Sequence, residues 1–369
     1  MKLLITGSGG FVGKNLVEFL KTKEDVELYL YDTHNTYENL NDFCKDCDVV
    51  VNLAGVNRTQ DNAQFVKGNL GVVEDVVHLL KKNNNICPII YSSSIQAQLD
   101  NDYGKSKKMA EDFLFNYSKE NNIPVYVFRF SNLFGKWSKP NYNTVIATFC
   151  YNIARNIEIQ ITDRNKELTL AYIDDVVEEI YNAILGKPNM VGKFCEVKTL
   201  YNKKLGEIAD LIFKFKETRI NLNVINTSDD FEKKLYSTYL SFLPENDFSY
   251  SIKTNISERG SFTELFRTEN SGQFSVNIAK PGVTKGNHWH NTKNEKFIVV
   301  KGKAEICFRQ PFSDEIIKYE VSGDEIKIVD IPCGYTHNIK NVGKEDLVFV
   351  IWCNECFNKD EPDTYFLEV

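Results

Sequence analysis

Apolar and polar residues follow two different rhythms along this chain of 369 residues. Up to about residue 185, short apolar runs alternate with longer segments whose apolar residues recur at helical spacing. This pattern is typical of parallel strands joined by crossover helices. The clearest predicted helices lie over Gly13–Lys21 and Lys107–Asn121. The predicted strands are Lys2–Thr6, Val26–Tyr31, Val49–Ala54, Ile89–Ser93 and Val125–Phe130.

From about Phe248 the rhythm changes to many short alternating runs separated by glycine and proline. Such a pattern is typical of an all-β sandwich or barrel. The turn-rich stretch Pro244–Asp247 separates the two rhythms. We therefore predict an α/β domain of Rossmann type with a parallel sheet over residues 1–245 and an all-β domain over residues 246–369. The strands predicted in the second domain are Gln273–Ile278, Lys296–Val300, Ala304–Phe308, Ile326–Val329 and Leu347–Trp352.

Composition and charge narrow the class of protein. Hydrophobic residues at 42% and charged residues at 26% are those of a folded globular chain. A net charge of −7 without a basic stripe argues against nucleic-acid binding. The first residues form a strand rather than a signal peptide, and no apolar run could cross a bilayer, so we expect a cytoplasmic protein without a membrane partner. Nine scattered cysteines argue against a disulfide framework.

A glycine pattern follows the first predicted strand. Gly7, Gly10 and Gly13 form a GxxGxxG arrangement, and Phe11 and Val12 lie within it at the start of a helix. Glycines at these positions allow a tight turn and let the backbone approach a pyrophosphate at the helix N-terminus. The sequence therefore predicts a dinucleotide site at this loop.

The choice of dinucleotide depends on the end of the second strand. Asp32 lies there, where a carboxylate can accept a hydrogen bond from the ribose 2′-hydroxyl of NAD. Arg58 could instead neutralise a 2′-phosphate, although the sequence does not place it. The residues leave this choice open, and we carry NADPH as the predicted cofactor with NADH as the alternative.

A YxxxK pair supplies candidate chemistry. Tyr103 and Lys107 lie at the head of a helix, on one face. An ammonium beside a phenol favours the ionised phenol, which makes tyrosine a usable acid or base near neutral pH. The run Ser92–Ser94 lies just upstream at a strand end, where a hydroxyl could bind a substrate carbonyl.

This order of motifs resembles the extended short-chain dehydrogenase/reductases. The resemblance implies that Tyr103 is the catalytic acid, Lys107 its partner and Ser94 the third member, although Ser92 and Ser93 remain alternatives. Only eight residues separate Ser94 from Tyr103, fewer than in most nucleotide-sugar members. It also implies a substrate-facing Asn132 and a cofactor-flanking segment made of Leu53, Ala54 and Gly55.

One departure from the family discriminates between reactions. The family's 4,6-dehydratases carry an acidic pair right after the active-site hydroxyl, whereas Ile95 and Gln96 follow the serines here. Loss of water is therefore disfavoured, and carbonyl reduction or C4 epimerisation is left.

The second domain contains a histidine constellation. His288 and His290 are two residues apart, so on a strand they share one face. With Glu295 and His337 they can enclose a divalent ion and leave positions for water or substrate. Three nitrogens and one oxygen suit zinc, although iron, manganese or nickel would also fit. The spacing resembles both halves of the cupin motif, with a glycine displaced to Gly323, and the resemblance implies that these four residues are the metal ligands.

A second resemblance lies upstream, in Glu258–Glu264. It is similar to the RGxFxE segment of cupin-like 3,5-epimerases that act on 4-keto nucleotide sugars, and it implies that Arg259 and Phe262 line the substrate pocket. In that family a histidine resembling His288 serves as base. Because His288 is also the first metal ligand, the base stays unassigned.

The order of reductase and cupin resembles bifunctional enzymes of capsular polysaccharide synthesis. The resemblance implies a UDP-sugar substrate and a homodimer. The cupin would epimerise C3 of a UDP-4-keto-2-acetamido-2,6-dideoxyhexose, and the reductase would reduce C4 with NAD(P)H to UDP-2-acetamido-2,6-dideoxy-L-talose, towards UDP-N-acetyl-L-fucosamine.

Two alternatives remain. One is a C4 reductase or epimerase with a purely structural or dimerising cupin. The other is a cofactor-sensing binding protein, which an intact Tyr103 and Lys107 disfavour.

Overall fold

The computed structural model describes residues 1–142, 144–252, 254–257, 260–263, 273–355 and 360–369, without the side chains of 254–263, 273 and 274. The chain forms two compact units, which are described separately below. The first contains residues 1–144 and 168–203, and the second contains residues 145–167 and 204–369. In the described residues, no helix is both long and apolar enough to cross a membrane.

The first unit is built on a seven-stranded sheet with strands in the order β2-β1-β3-β4-β5-β9-β8. Every neighbouring pair is parallel except β8 and β9, which pair antiparallel. The strands are β1 (Lys2–Thr6), β2 (Glu27–Tyr31), β3 (Val49–Asn52), β4 (Ile89–Ser94), β5 (Val125–Phe130), β8 (Met190–Val191) and β9 (Phe194–Cys195). A separate three-stranded sheet contains β6 (Asn132–Phe134), β7 (Glu167–Tyr172) and β10 (Tyr201–Lys204).

Helices cover both faces of the large sheet. Successive strand residues point to opposite faces, so Leu4 and Val50 join one buried cluster while Leu3 and Val51 join another. Both faces are apolar because both are covered, as expected of a parallel sheet. The helices are α1 (Phe11–Leu20), α2 (Tyr37–Phe43), α3 (Ala63–Val66), α4 (Val72–Lys82), α5 (Asp102–Asn121) and α7 (Ile173–Ile184), with a π-helix over Lys67–Gly71 and a 3-10 turn over Ile95–Gln98.

The predicted Rossmann-type fold is confirmed, and the strand bounds agree to within two residues at each end. Helix α5 begins five residues earlier than predicted. The side chain of Asn101 accepts a hydrogen bond from the Gly104 N–H, which caps the helix ahead of its apolar stripe. This earlier start places Tyr103 inside the first turn.

The second unit combines helices with antiparallel sheets in the orders β11-β19-β16-β21-β14 and β18-β17-β20-β15-β22, which confirms the all-β expectation for the C-terminal region. The helices are α6 (Val145–Ala154), α8 (Leu205–Asn221) and α9 (Asp230–Leu240), followed by a 3-10 turn over Glu245–Asp247. The strands are β11 (Ser249–Ser251), β12 (Thr254–Ser257), β13 (Gly260–Thr263), β14 (Gln273–Ala279), β15 (Thr284–Trp289), β16 (Glu295–Lys301), β17 (Lys303–Arg309), β18 (Ile317–Ser322), β19 (Lys327–Ile331), β20 (Thr336–Asn341), β21 (Leu347–Cys353) and β22 (Tyr365–Phe366). Among the described residues, strands β12 and β13 form a separate two-stranded sheet.

A buried ion cluster joins α8 to the strands. Lys296 on β16 lies opposite Asp330 on β19 and forms an ion pair with it at 2.5 Å. Arg219 of α8 approaches the same carboxylate at 3.8 Å. The helices that follow residue 203 thus pack with the strands, within one unit. The domain boundary predicted between residues 245 and 246 stays a prediction, because packing does not show which segments fold independently.

Candidate active site and candidate metal site

The glycine loop after β1 has the geometry that a dinucleotide requires. Gly7 adopts a φ of +68°, and a Cβ there would lie 2.7 Å from the Ala54 nitrogen. No side chain caps the N-terminus of α1, so the N–H groups of Phe11, Val12 and Gly13 lack partners within the helix. A pyrophosphate can accept hydrogen bonds from such groups. The loop therefore fits the predicted cofactor.

Asp32 lies directly beside this loop. Its carboxylate accepts hydrogen bonds from the backbone N–H of Gly9 at 2.6 Å and of Thr33 at 2.7 Å. Arg58 donates to the carbonyl oxygens of Asn141 and Tyr142, at 3.4 Å and 3.0 Å. The acid is thus placed at the cofactor loop, whereas the arginine contacts another segment.

The segment after β3 also reaches the loop. The Leu53 N–H donates to the Thr6 carbonyl at 3.1 Å, and the Ala54 N–H donates to the Thr6 hydroxyl at 3.3 Å. A Cβ on Gly55 would lie 3.0 Å from the Lys107 nitrogen. These distances place the predicted cofactor-flanking segment beside Lys107.

The candidate catalytic residues meet at the end of β4. The Ser94 hydroxyl lies close enough to the Tyr103 hydroxyl to lower its pKa. Lys107 donates to the Ser92 carbonyl oxygen at 2.9 Å, and the Ser93 hydroxyl donates to Glu111 at 2.6 Å. Of the three serines, Ser94 is therefore the one whose hydroxyl lies at the tyrosine.

Burial sets the protonation of this pair. Burial raises the pKa of Tyr103. The neighbouring Ser94 hydroxyl lowers that pKa by a smaller amount. Burial also lowers the pKa of Lys107 to about 8, against the opposing charge of Glu111. Desolvation outweighs the effect of the Ser94 hydroxyl and so favours the protonated phenol. A protonated phenol is the form that can give a proton to a substrate oxygen.

Asn69 lies beside the candidate site, and the sequence did not single it out. It is fully buried on the π-helix, where its amide accepts from the Val56 N–H at 3.0 Å and donates to the Ser106 hydroxyl at 2.9 Å. Its Oδ1 would lie 2.6 Å from a Cβ on Gly55. A π-helical turn frequently lies at a functional site. The local sequence did not predict this turn.

The predicted substrate residues are placed only in part. Asn132 is exposed at the start of β6, and its amide donates to the Thr169 carbonyl oxygen at 3.1 Å. Arg259 lies outside the described residues. Phe262 lies on β13, but its side chain is outside the described part of the structure.

The four predicted metal ligands converge in the second unit. His288 on β15, His290 just after it, Glu295 at the start of β16 and His337 on β20 offer ligand atoms that all lie within 4.8 Å of one another. The Glu295 Oε2 atom is 3.3 Å from Nε2 of His337 and 3.6 Å from Nε2 of His290. These three atoms are buried without a hydrogen-bond partner among the described residues.

The charge states of this cluster suit a cation. Burial lowers the pKa of His288 to about 3 and also lowers the pKa of His337. Burial by itself raises the pKa of Glu295, but the adjacent His290 and His337 outweigh it and hold that pKa below its usual range. Neutral imidazoles and an ionised carboxylate are ligand forms, and buried polar atoms without partners are rare. The donor set therefore fits a divalent metal.

Two sequence families match consecutive parts of the chain. Residues 3–192 match the NAD dependent epimerase/dehydratase family. Residues 255–365 match a family described as the polysaccharide biosynthesis C-terminal domain.

Two relatives match from end to end. A UDP-2-acetamido-2,6-beta-L-arabino-hexul-4-ose reductase of Pseudomonas aeruginosa is 41% identical over 100% of this chain and 99% of its own length. The capsular polysaccharide assembling protein CapF from Staphylococcus aureus has 51% sequence identity to this chain. Its crystal structure matches with a TM-score of 0.69 over 100% of both chains. The predicted resemblance of the whole chain to capsular polysaccharide enzymes is thereby confirmed.

A more distant structure matches only part of the chain. A UDP-glucuronic acid 4-epimerase from Bacillus cereus, solved with NAD, is 19% identical, with a TM-score of 0.52 over 58% of this chain and 83% of its own. This likeness shows a shared fold and no more.

Proposed function

Because this chain belongs to the NAD dependent epimerase/dehydratase family and ends in a polysaccharide biosynthesis C-terminal domain, we propose that it is a bifunctional nucleotide-sugar enzyme. Its cupin epimerises C3 of a UDP-4-keto-2-acetamido-2,6-dideoxyhexose. Its reductase domain then reduces C4 to give UDP-2-acetamido-2,6-dideoxy-L-talose. Support comes from the end-to-end match to a reductase of a UDP-hexul-4-ose.

The order of the two steps follows from the chemistry of the sugar. A carbonyl at C4 acidifies the C–H bond at C3, so a base can remove that proton and a proton can return on the other face. Reduction at C4 removes the carbonyl and with it this acidity. Epimerisation therefore precedes reduction.

In the reduction, NADPH, or alternatively NADH, supplies a hydride to C4. The Tyr103 hydroxyl gives its proton to the substrate oxygen, and the raised pKa keeps that hydroxyl protonated beforehand. Ser94, whose hydroxyl lies close to that of Tyr103, orients the same oxygen. Lys107 is the partner of Tyr103 that the family resemblance implies. The meeting of Tyr103 and Ser94 at the end of β4 is the observation that carries the proposal.

In the epimerisation, a divalent ion, with zinc favoured, would polarise a carbonyl or activate a water. The ligands would be the cluster of His288, His290, Glu295 and His337. Arg259 and Phe262 are proposed to bind the UDP-sugar, on the resemblance of their segment alone. The base at C3 is not assigned.

Incubation with a UDP-4-keto-2-acetamido-2,6-dideoxyhexose in deuterated water tests both steps. Without a nicotinamide cofactor, we expect deuterium at C3 by NMR and mass spectrometry. With NADPH, we expect oxidation of NADPH, followed at 340 nm, and a single reduced product with deuterium at C3. A reduced product without C3 deuterium would overturn the epimerase half and leave the reductase half standing.

A rival function is a C4 reductase whose cupin is a dimerising module. If His288→Ala abolished metal binding while the product stereochemistry stayed unchanged, this rival would hold. The homodimer that the resemblance implies is also a proposal, and light scattering of the purified chain would test it.

A further inference from the structure

The C-terminal segment 360–369 lies along the strand that leads to the candidate metal ligands. Strand β22 pairs antiparallel with β15, with Phe366 opposite His288. The rings of Trp289 and Tyr365 stack with centroids 4.9 Å apart. The segment therefore forms part of the wall beside the metal site.

Within this segment, the side chain of Asp363 binds a turn of the barrel. Its carboxylate accepts hydrogen bonds from three successive backbone N–H groups, those of Asn291 at 2.9 Å, Thr292 at 2.9 Å and Lys293 at 2.7 Å. Consecutive N–H groups that point at one anion form a nest, and charge-assisted bonds of this kind are strong. This turn connects His290 to the strand that carries the glutamate ligand.

The main chain of Asp363 contacts a ligand directly. Its carbonyl oxygen lies 2.6 Å from Nδ1 of His290. A carbonyl can only accept a hydrogen bond, so Nδ1 carries a proton, and in the neutral ring Nε2 is the nitrogen with the lone pair. That Nε2 atom faces Glu295, whose Oε2 lies 3.6 Å away. The contact thus selects the tautomer that can bind a metal.

The backbone of Asp363 shows why its side chain matters to its carbonyl. Its φ of +37° lies in the left-handed region, where residues other than glycine cost energy unless their surroundings hold them. The three hydrogen bonds that the carboxylate accepts from the turn keep Asp363 in this conformation. The side chain and the carbonyl therefore act as one unit on His290.

We propose that Asp363 is a positioning residue of the metal site, which fixes the turn at residues 291–293 and the Nδ1–H tautomer of His290. This inference rests on the metal site of the proposed function. Metal ligands commonly depend on such outer partners, whose loss weakens metal affinity by about 10- to 100-fold.

Competition between the purified full-length protein and a chelator measures the Zn²⁺ dissociation constant. We expect Asp363→Ala to raise that constant by about 10- to 100-fold. Asp363→Asn should raise it less, because one amide oxygen still accepts from the turn. Glu361→Gln changes an exposed acid of the same segment and should leave the constant unchanged.

A second measurement uses the metal-free protein. Long-range ¹⁵N NMR of the imidazoles should show His290 as the Nδ1–H tautomer in the wild type and a mixture of tautomers in Asp363→Ala. Circular dichroism in the presence of chelator checks that each variant is folded. If Asp363→Ala is not folded, Asp363→Asn provides the comparison.

The outcomes separate the inference from the proposed function. Zn²⁺ affinity in folded Asp363→Ala equal to that of the wild type would overturn the positioning role and leave the metal site intact. A wild type that binds no Zn²⁺ would overturn the metal site, and the imidazole spectra would then decide whether Asp363 sets the tautomer. An equal loss of affinity in Glu361→Gln would also count against Asp363.

Discussion

Glu111 and Arg129 form a two-point ion pair inside the first unit, with nitrogen-to-oxygen distances of 2.8 Å and 2.6 Å. The Glu111 side chain is fully buried and also accepts from the Ser93 hydroxyl at 2.6 Å. Glu111 lies one helical turn after Lys107 on α5, whereas Arg129 belongs to β5. The pair therefore links α5, which carries Tyr103 and Lys107, to the sheet.

Glu111→Gln should lower the free energy of unfolding by about 3 kcal/mol, because Arg129 would keep its charge in a mostly buried position without a counter-charge. Urea denaturation followed by circular dichroism measures the change. The control is Asp112→Asn, which breaks the exposed pair with Lys108 on the same helix and should cost less than about 1 kcal/mol. Equal effects of the two variants would contradict the role of the buried pair.

Tyr103→Phe should slow reduction by about 10²-fold or more, because it removes the proton donor while keeping the ring. Deuterium uptake at C3 in the absence of cofactor should persist, since the metal site lies in other strands. Tyr117→Phe, at a buried position of the same helix, is the matched control and should retain the activity. Full NADPH oxidation by Tyr103→Phe would refute the assigned acid.

The pH dependence of reduction should follow Lys107, whose pKa burial lowers to about 8 from an ordinary value of 10.5. Above about pH 8 the ammonium loses its charge in the folded protein, so kcat should fall as pH rises. Lys107→Arg should have a lower kcat than the wild type, because arginine differs from lysine in shape. Since arginine stays charged in this range, the kcat of this variant should not fall near pH 8.

The same pKa makes a separate prediction for stability. Between pH 8 and 10.5 the unfolded chain keeps the proton on Lys107, whereas the folded chain has lost it. Because the unfolded state binds more protons, Lys107 makes the free energy of unfolding rise with pH in this window. Deprotonation of Lys107 should therefore lower the activity between pH 8 and 10.5 without destabilising the folded protein. Thermal unfolding at each pH distinguishes the two effects.

Asp32→Asn should favour NADPH over NADH, because it removes a negative charge beside the cofactor loop while keeping an amide that can contact Gly9. We expect the ratio of kcat/KM for the two cofactors to shift by about tenfold, which corresponds to ~1.4 kcal/mol. Asp42→Asn, an exposed acid on α2, is the control and should not shift the ratio. If the ratio of kcat/KM for the two cofactors is unchanged in Asp32→Asn, Asp32 does not contribute to the choice between NADPH and NADH.

The sequence by itself determined the strands of the parallel sheet, the glycine loop and the four residues of the candidate metal site. Apolar periodicity records whether a position is buried, so β1 and β5 were predicted with their observed bounds. The spacing of His288 and His290 predicted that they share one face. Their ring centroids lie 4.9 Å apart, although His290 lies just after the end of β15.

Only the tertiary structure decided which groups meet and which protons they hold. Asp363 contacts His290 across 73 positions of the chain, and no local pattern encodes that partner. The sequence did not predict that the pKa of Tyr103 is raised, because desolvation depends on everything that packs around the phenol. Local sequence fixes residue type and spacing, whereas burial and long-range contact, which set protonation and ligand geometry, exist only after the chain has folded.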